Sequence, residues 1–336
     1  MGRVGHQTYV FERQIGIRTT GVVVGQKEAE GPLAKYFDRL HDDMRMGQKT
    51  WEKAERTLLK EAMDLAMRKA ELEKEDIPLY IGGDLMDQIT TTNFAASFLG
   101  SMYLGIYSAC GTTVEGLALS AMMMESGAVD RVMTGAVSHT YAAEKLYRFP
   151  NEYGVQKPPY AQRTVTGAGV ALLEPGAAPR VEAATFGRVV DSGLKDPFDM
   201  GSAEAPAAVA TIVAHLQDLG RSLDDYGLIL TGDLARVGLT FAKQLLEGQG
   251  VTPTERVEDC GVMIYREDQG AFAGGSGAGC SAVVMYGWAV NQMRQGRYRR
   301  VLLCGTGALH SPTSVKQGDS IPGICHAVSL VMDGDG

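Results

Sequence analysis

Two segments of this chain follow one pattern, half a chain apart. Residues 111–135 read GTTVEGLALSAMMMESGAVDRVMTG, and residues 280–305 read CSAVVMYGWAVNQMRQGRYRRVLLCG. A single offset of 169 pairs Gly127 with Gly296, Arg131 with Arg300, Val114 with Val283, Met124 with Met293 and Val132 with Val301. Each copy is a turn of small residues, an apolar helix, a glycine stop and a strand that ends in glycine. In 336 residues that offset is half the length. The chain therefore reads as two copies of one βα-rich half, fused with pseudo-twofold symmetry. The halves are residues 1–175 and 176–336, the first carrying an irregular insert at 141–163.

The rest of the chain fits that frame. Short apolar runs predict strands at Thr20–Val24, Leu79–Ile81, Leu104–Ser108, Arg131–Gly135 and Val165–Leu173 in the first half. In the second half they predict strands at Arg180–Val190, Leu228–Thr231, Val262–Tyr265, Arg300–Cys304 and Ala327–Met332. Helical stripes run over Trp51–Ala70, Ala207–Leu219 and Ala235–Glu247. Alternation of this kind predicts an α/β fold with a mostly parallel sheet under helical cover.

Composition removes several functions. Forty acidic against 32 basic residues give a net charge of −8, so a nucleic-acid partner is not expected. Five cysteines, an odd number with no Cys-x-x-Cys pair, argue against a disulfide framework and against a zinc site. No metal and no cofactor are expected. The segment Met1–Arg18 carries charges throughout and does not read as a signal peptide. No apolar run approaches the ~18–20 residues that span a bilayer, so any membrane role is expected to be peripheral.

Cys110 holds the most chemically pointed position. It follows an apolar strand and precedes a Gly-Thr-Thr turn into a long helix. The positive end of a helix dipole favours a thiolate and offers N–H groups to an anion. Those groups belong to Gly111–Thr113. The insert adds Arg148, Lys157 and Arg163, interleaved with Tyr141, Tyr147, Tyr153 and Tyr160. A local basic cluster on an acidic protein is what selective anion binding requires; the alternative is a solvated loop. The Gly-rich run GGSGAG at 274–279 lacks the strand and acidic partner of a nucleotide loop, and reads as close helix packing. Ser311–Cys325, marked as loop by Pro312, Gly318, Pro322 and Gly323, reads either as a cover over the pocket near Cys110 or as a simple surface excursion.

Paired halves with a cysteine at the first strand–helix junction resemble the thiolase fold, shared by ketoacyl synthases. More narrowly, the chain resembles the stage V sporulation protein AD family. The carrying segments include GQKEAEGPL (25–33), SACGTT (108–113), SHTYAAE (138–144), RFPNEYGVQKP (148–158), DMGSAEAPAA (199–208), FAGGSGAGCSAVV (272–284) and GTGALHSPT (305–313). They run in order along nearly the whole chain.

That resemblance implies a five-layered α-β-α-β-α architecture. Two mixed sheets would flank central helices that contain Gly111–Glu125 and Cys280–Arg294. It also sets a test for catalysis. Thiolases and condensing enzymes pair the cysteine with two basic residues from the second half. One His follows the strand that resembles Leu228–Thr231, where this chain has Gly232-Asp233-Leu234. A His-Pro sits in the Gly-rich loop, where this chain has Ala273-Gly274-Gly275-Ser276. Neither segment contains a histidine. The resemblance thus implies a pocket reused for binding, with Cys110 a vestigial nucleophile. The alternative is an active thiolase- or ketoacyl-synthase-like acyltransferase using Cys110.

The ligand that the family implies is dipicolinate, a pyridine dicarboxylate, taken up into the developing spore either free or as its calcium chelate. The residues expected at it are Cys110, Gly111, Thr112 and His139, with Arg148, Tyr153 and Lys157 from the insert. Thr306 and Ser311 are expected from the second half. The family further implies a homodimer formed partly through the strand around Leu104–Ser108. It implies membrane proteins of the same transport system as partners, and peripheral association with the forespore or spore inner membrane.

Overall fold

The computed structural model describes residues 2–147 and 157–332. Arg148 and Tyr153 of the expected site lie outside the described residues.

The duplication is visible in the strand order. Counted along the chain, the first half has strands Ile15–Val24, Leu79–Asp84, Met102–Gly105, Val132–Ser138 and Gly167–Pro175. The second has Arg180–Thr185, Leu228–Thr231, Val257–Asp259, Arg300–Ala308 and Gly323–Val331. Numbered one to five, each set lies in space as 1-5-4-2-3. In both, strands 4, 2 and 3 are parallel, and strand 5 is antiparallel to strands 1 and 4. Both carry a bulge where strands 1 and 5 pair, at Ile17/Thr19 and at Val181/Ala183. The glycines matched by the offset, Gly127 and Gly296, end equivalent helices at φ 77° and 78°. That left-handed geometry favours glycine, which has no Cβ to clash.

The two five-stranded sheets are expected to stand apart. They instead join edge to edge through one pairing, Arg180 with Gly16. The sheets are also mixed rather than mostly parallel, because strand 5 returns antiparallel in each half. Alternation along the strands sorts side chains between layers. Val22, Val24, Ile81, Leu173, Leu303 and Val328 pack into one central cluster. Val23, Tyr80 and Leu172 face the outer Trp51–Ala70 helix. Leu302, Cys304 and Ala327 face the outer helices Met200–Leu219 and Ala235–Gly248. Between the sheets run the helix Thr112–Glu125 and its counterpart, which starts at Ala278, widens to a π-helix over Val284–Ala289 and ends at Arg294. Five layers result.

Other boundaries differ from expectation for local reasons. The apolar run Val262–Tyr265 is not a strand. The edge strand is Val257–Asp259, and Asp259 then caps a short helix, Cys260–Met263, by accepting from the Val262 N–H. The strand before Cys110 ends at Gly105, so Ile106–Ser108 form a connector. The insert begins as a helix, Thr140–Tyr147, and Ser311 opens a short helix, Pro312–Lys316.

Candidate functional site around Cys110

Cys110 sits in a tight turn that the helix start locks in place. Ala109 holds φ 50°, a left-handed conformation that is strained for a residue with a Cβ. Three hydrogen bonds fix it. The Gly111 N–H donates to the Ser108 carbonyl at 2.9 Å. The Ser108 N–H donates to Thr112 Oγ1 at 3.1 Å, and that hydroxyl donates to the Ala109 carbonyl at 2.8 Å. A Cβ on Gly111 would stand 2.9 Å from the Gly305 carbonyl, so the turn packs directly on the strand of the other half. Gly111 and Thr112 therefore build the turn that presents Cys110. The Gly111 N–H is spent within it, not held out to an anion as expected.

Two carboxylates lie beside the sulfur. Asp233, in the loop after Leu228–Thr231, and Glu204, on the helix Met200–Leu219, are fully buried. One carboxylate oxygen of each and the Cys110 sulfur all lie within 4.8 Å of one another. Asp233 is heavily satisfied. Its Oδ2 accepts from Ser276 Oγ at 3.0 Å and the Gly277 N–H at 2.9 Å, and its Oδ1 accepts from Thr306 Oγ1 at 2.9 Å. The Asp233 N–H donates back to Thr306 Oγ1.

This environment reverses the expectation of a thiolate. Burial, and then the charge of Asp233, push the Cys110 thiol well above its ordinary range. The helix terminus does not outweigh them, because burial and a neighbouring carboxylate both favour the neutral form of the thiol.

Cys110 opens onto a narrow pocket with an empty volume of about 400 Å³. Leu85, Met200 and Ala308 give it apolar walls, Thr164 and Ser276 add hydroxyls, and Tyr107, Tyr147 and His310 add rings. Tyr147 packs against His310 with centroids 5.3 Å apart, and its hydroxyl donates to the Leu85 carbonyl. Glu144 also lines the wall, with Lys157 Nζ 2.7 Å from its Oε1. An open groove with about 920 Å³ of empty volume adjoins the pocket at Tyr107, Tyr147 and His310.

The expected residues divide accordingly. Cys110 lines the pocket, and Lys157 reaches its wall through Glu144. Thr306 lies beneath it, holding Asp233. Ser311 lines the outer groove and accepts from the Thr313 N–H to cap its own helix. His139 is not brought to the pocket. Its Nε2 lies 2.9 Å from the Met44 carbonyl, its Nδ1 accepts from the Tyr141 N–H, and its ring stacks on Trp51. The sequence reading missed Glu204, Asp233 and Ser276. The signal for Asp233 and Ser276 was present: they stand in the two loops where bases were sought. Glu204 had no signal, being one acid in an alanine-rich helix.

Comparison with known proteins now decides the family. A profile described as stage V sporulation protein AD matches residues 5–331. The chain belongs to the stage V sporulation protein AD family. It is 44% identical to stage V sporulation protein AD of Bacillus subtilis (strain 168) over 330 residues, 98% of this chain and 97% of that protein.

Solved structures place the family's fold. The chain is similar to 3-oxoacyl-[acyl-carrier-protein] synthase III from Aquifex aeolicus VF5, with a TM-score of 0.61 at 15% identity over 95% of this chain and 100% of that one. Cerulenin-bound OleA of Xanthomonas campestris gives 0.61 at 14% identity over 96% and 98%. The fold is thiolase-like, and this member of the stage V sporulation protein AD family is a sporulation protein built on it. Among the described residues no helix is long and apolar enough to cross a membrane.

Proposed function

We propose that this protein binds dipicolinate in the Cys110 pocket, without catalysis, as part of dipicolinate uptake during sporulation. One observation carries the reading. The two loops that would bring bases to a thiolase-type cysteine bring Asp233 and Ser276, and the cysteine beside them is held as a neutral thiol. A Claisen condensation needs a nucleophile, a proton acceptor and an oxyanion site. Here the acceptor position already carries negative charge, which opposes both a thiolate and a developing oxyanion.

The pocket suits a flat acid better than an acyl chain. Tyr147 and His310 offer ring faces to a pyridine, and Lys157 offers a cation to a carboxylate in exchange for Glu144. The family supplies the identity of the ligand. Whether it enters free or as its calcium chelate, the same ring and carboxylates meet these walls.

Translocation then belongs to membrane proteins of the same system, with this chain attached peripherally at the forespore or spore inner membrane. The strand Met102–Gly105 lies at the sheet edge with Met102 and Leu104 exposed, and Phe94 and Tyr107 are exposed near it. An apolar sheet edge of this kind favours a homodimer through it.

A structure of the dipicolinate complex tests the site. The ring is expected between Cys110 and the Tyr147–His310 wall, with one carboxylate on Lys157. A ring bound elsewhere would remove the pocket from the account.

A further inference from the structure

We propose that only one of the two acids beside Cys110 is ionised, Asp233 as the carboxylate and Glu204 as the protonated acid, and that this buried pair silences the thiol. The inference concerns the same pocket but does not depend on the ligand named above.

The geometry assigns the proton. Asp233 and Glu204 are both fully buried, and their oxygens lie within 4.8 Å of each other and of the Cys110 sulfur. Two like charges that close, in a buried site, do not both persist. Asp233 receives three hydrogen bonds, from Ser276 Oγ, the Gly277 N–H and Thr306 Oγ1, which hold it as the carboxylate. Neither Glu204 oxygen has a hydrogen-bond partner of that kind. Glu204 is therefore the member that carries the proton. Burial, and then the charge of Asp233, drive its carboxyl in the same direction.

The groups around the pair reinforce the assignment. Asp259, behind the loop, is bound by the Leu234, Ala235 and Val262 N–H groups and by Thr231 Oγ1, while burial pushes its carboxyl up to about 7, so it adds negative charge mainly above that pH. Cys280 is a further buried thiol on the central helix. His310 and the Lys157–Glu144 pair belong to the pocket wall. Ionising Cys110 would put a second negative charge against Asp233. The consequence is a nucleophile position whose sulfur stays neutral although it begins a helix. Asp233 and Glu204 act through Cys110 and are positioning residues.

The test is the pH profile of Cys110 alkylation by iodoacetamide, read by intact mass and peptide mapping. Cys110 lines a pocket while Cys260, Cys280, Cys304 and Cys325 are fully buried, so the first label reports on it. Asp233→Asn and Glu204→Gln remove charge with little change of shape. Asp233→Asn is expected to move the onset of labelling down by about one pH unit or more, a roughly tenfold faster reaction at pH 7.5. Glu204→Gln replaces the protonated acid by a neutral amide, leaves Asp233 charged, and is expected to move the onset by less. If Asp233→Asn does not fold, Asp233→Ser gives the same comparison. A folded Asp233 variant with an unshifted profile would overturn the proposal. So would one bound metal ion per purified chain whose removal alone activates the thiol, because a cation would then hold the carboxylates together.

Discussion

Lys157 sets its ammonium 2.7 Å from the Glu144 carboxylate in the wall of the Cys110 pocket. The pair is well shielded, with the side chains 19% and 7% exposed. In the proposed dipicolinate site, a carboxylate of the ligand would compete with Glu144 for this cation. Lys157→Ala is expected to weaken dipicolinate binding by about ten- to a hundredfold, the equivalent of roughly 1.5–3 kcal/mol for one charged hydrogen bond. Calorimetry on the folded variant reads it directly. Unchanged affinity would demote Lys157 to a partner of Glu144 alone.

Substitution at Cys110 separates the roles of sulfur and space. Cys110→Ser keeps a small, neutral hydroxyl and should change dipicolinate affinity only a few-fold. Cys110→Trp fills the pocket and should abolish binding. If serine removed biological function while affinity stayed normal, the thiol would have a chemical task that binding does not explain.

The contact between the halves is tight enough to test by one methyl group. A Cβ on Gly305 would lie 2.7 Å from Val114 Cβ and 2.8 Å from the Gly111 carbonyl. Gly305→Ala should cost about 1–3 kcal/mol through overpacking and should shift the Cys110 turn. Thermal melting together with dipicolinate affinity checks both effects. A variant as stable as the parent would show that the helix start can slide.

Stability should fall in acid in two steps. Burial pushes His215 and His326 down to about 4. These rings fold neutral, so the unfolded chain binds more protons below pH 6.5, and stability declines from there to about pH 4. Burial acts to raise Glu182, but hydrogen bonds from Arg221, Arg300 and Ser329 hold it down at about 2. Its contribution is complete above the unfolded value near 4.5 and disappears as pH falls through 2. Glu182→Gln should therefore lower the melting temperature at pH 7 and make little difference near pH 2. Equal effects at both pH values would contradict the linkage.

Much of this fold is legible in the residues. The repeat survives because Gly127 and Gly296 occupy positions that penalise any other residue, so the same letters recur at one offset. The bounds of Trp51–Ala70 can be read because Thr50 caps it and the apolar stripe keeps helical spacing. Val262–Tyr265 misleads because four adjacent nonpolar or aromatic residues have no period, and the capping role of Asp259 overrides their strand preference. The site is less legible. Cys110 announces itself by its turn, but its chemistry is set by Glu204 and Asp233, which are 94 and 123 residues away in sequence and meet it only in the packed interior. A helix dipole can be read from a sequence, whereas the acids that outweigh it cannot.

The edge strand gives a separate prediction. For the proposed dimer, Leu104→Lys should leave dipicolinate affinity within a few-fold and give a monomer by light scattering at micromolar concentration. A parent protein that is already monomeric would remove the dimer.

The most direct test of the central claim is one calorimetric titration series, with dipicolinate, benzoate and acetyl-CoA each added to the purified protein, followed by the intact mass of the chain. The account predicts saturable, stoichiometric binding of dipicolinate, much weaker binding of benzoate, and no acyl group on Cys110 after acetyl-CoA. An acetylated Cys110, or no preference for dipicolinate over benzoate, would contradict it.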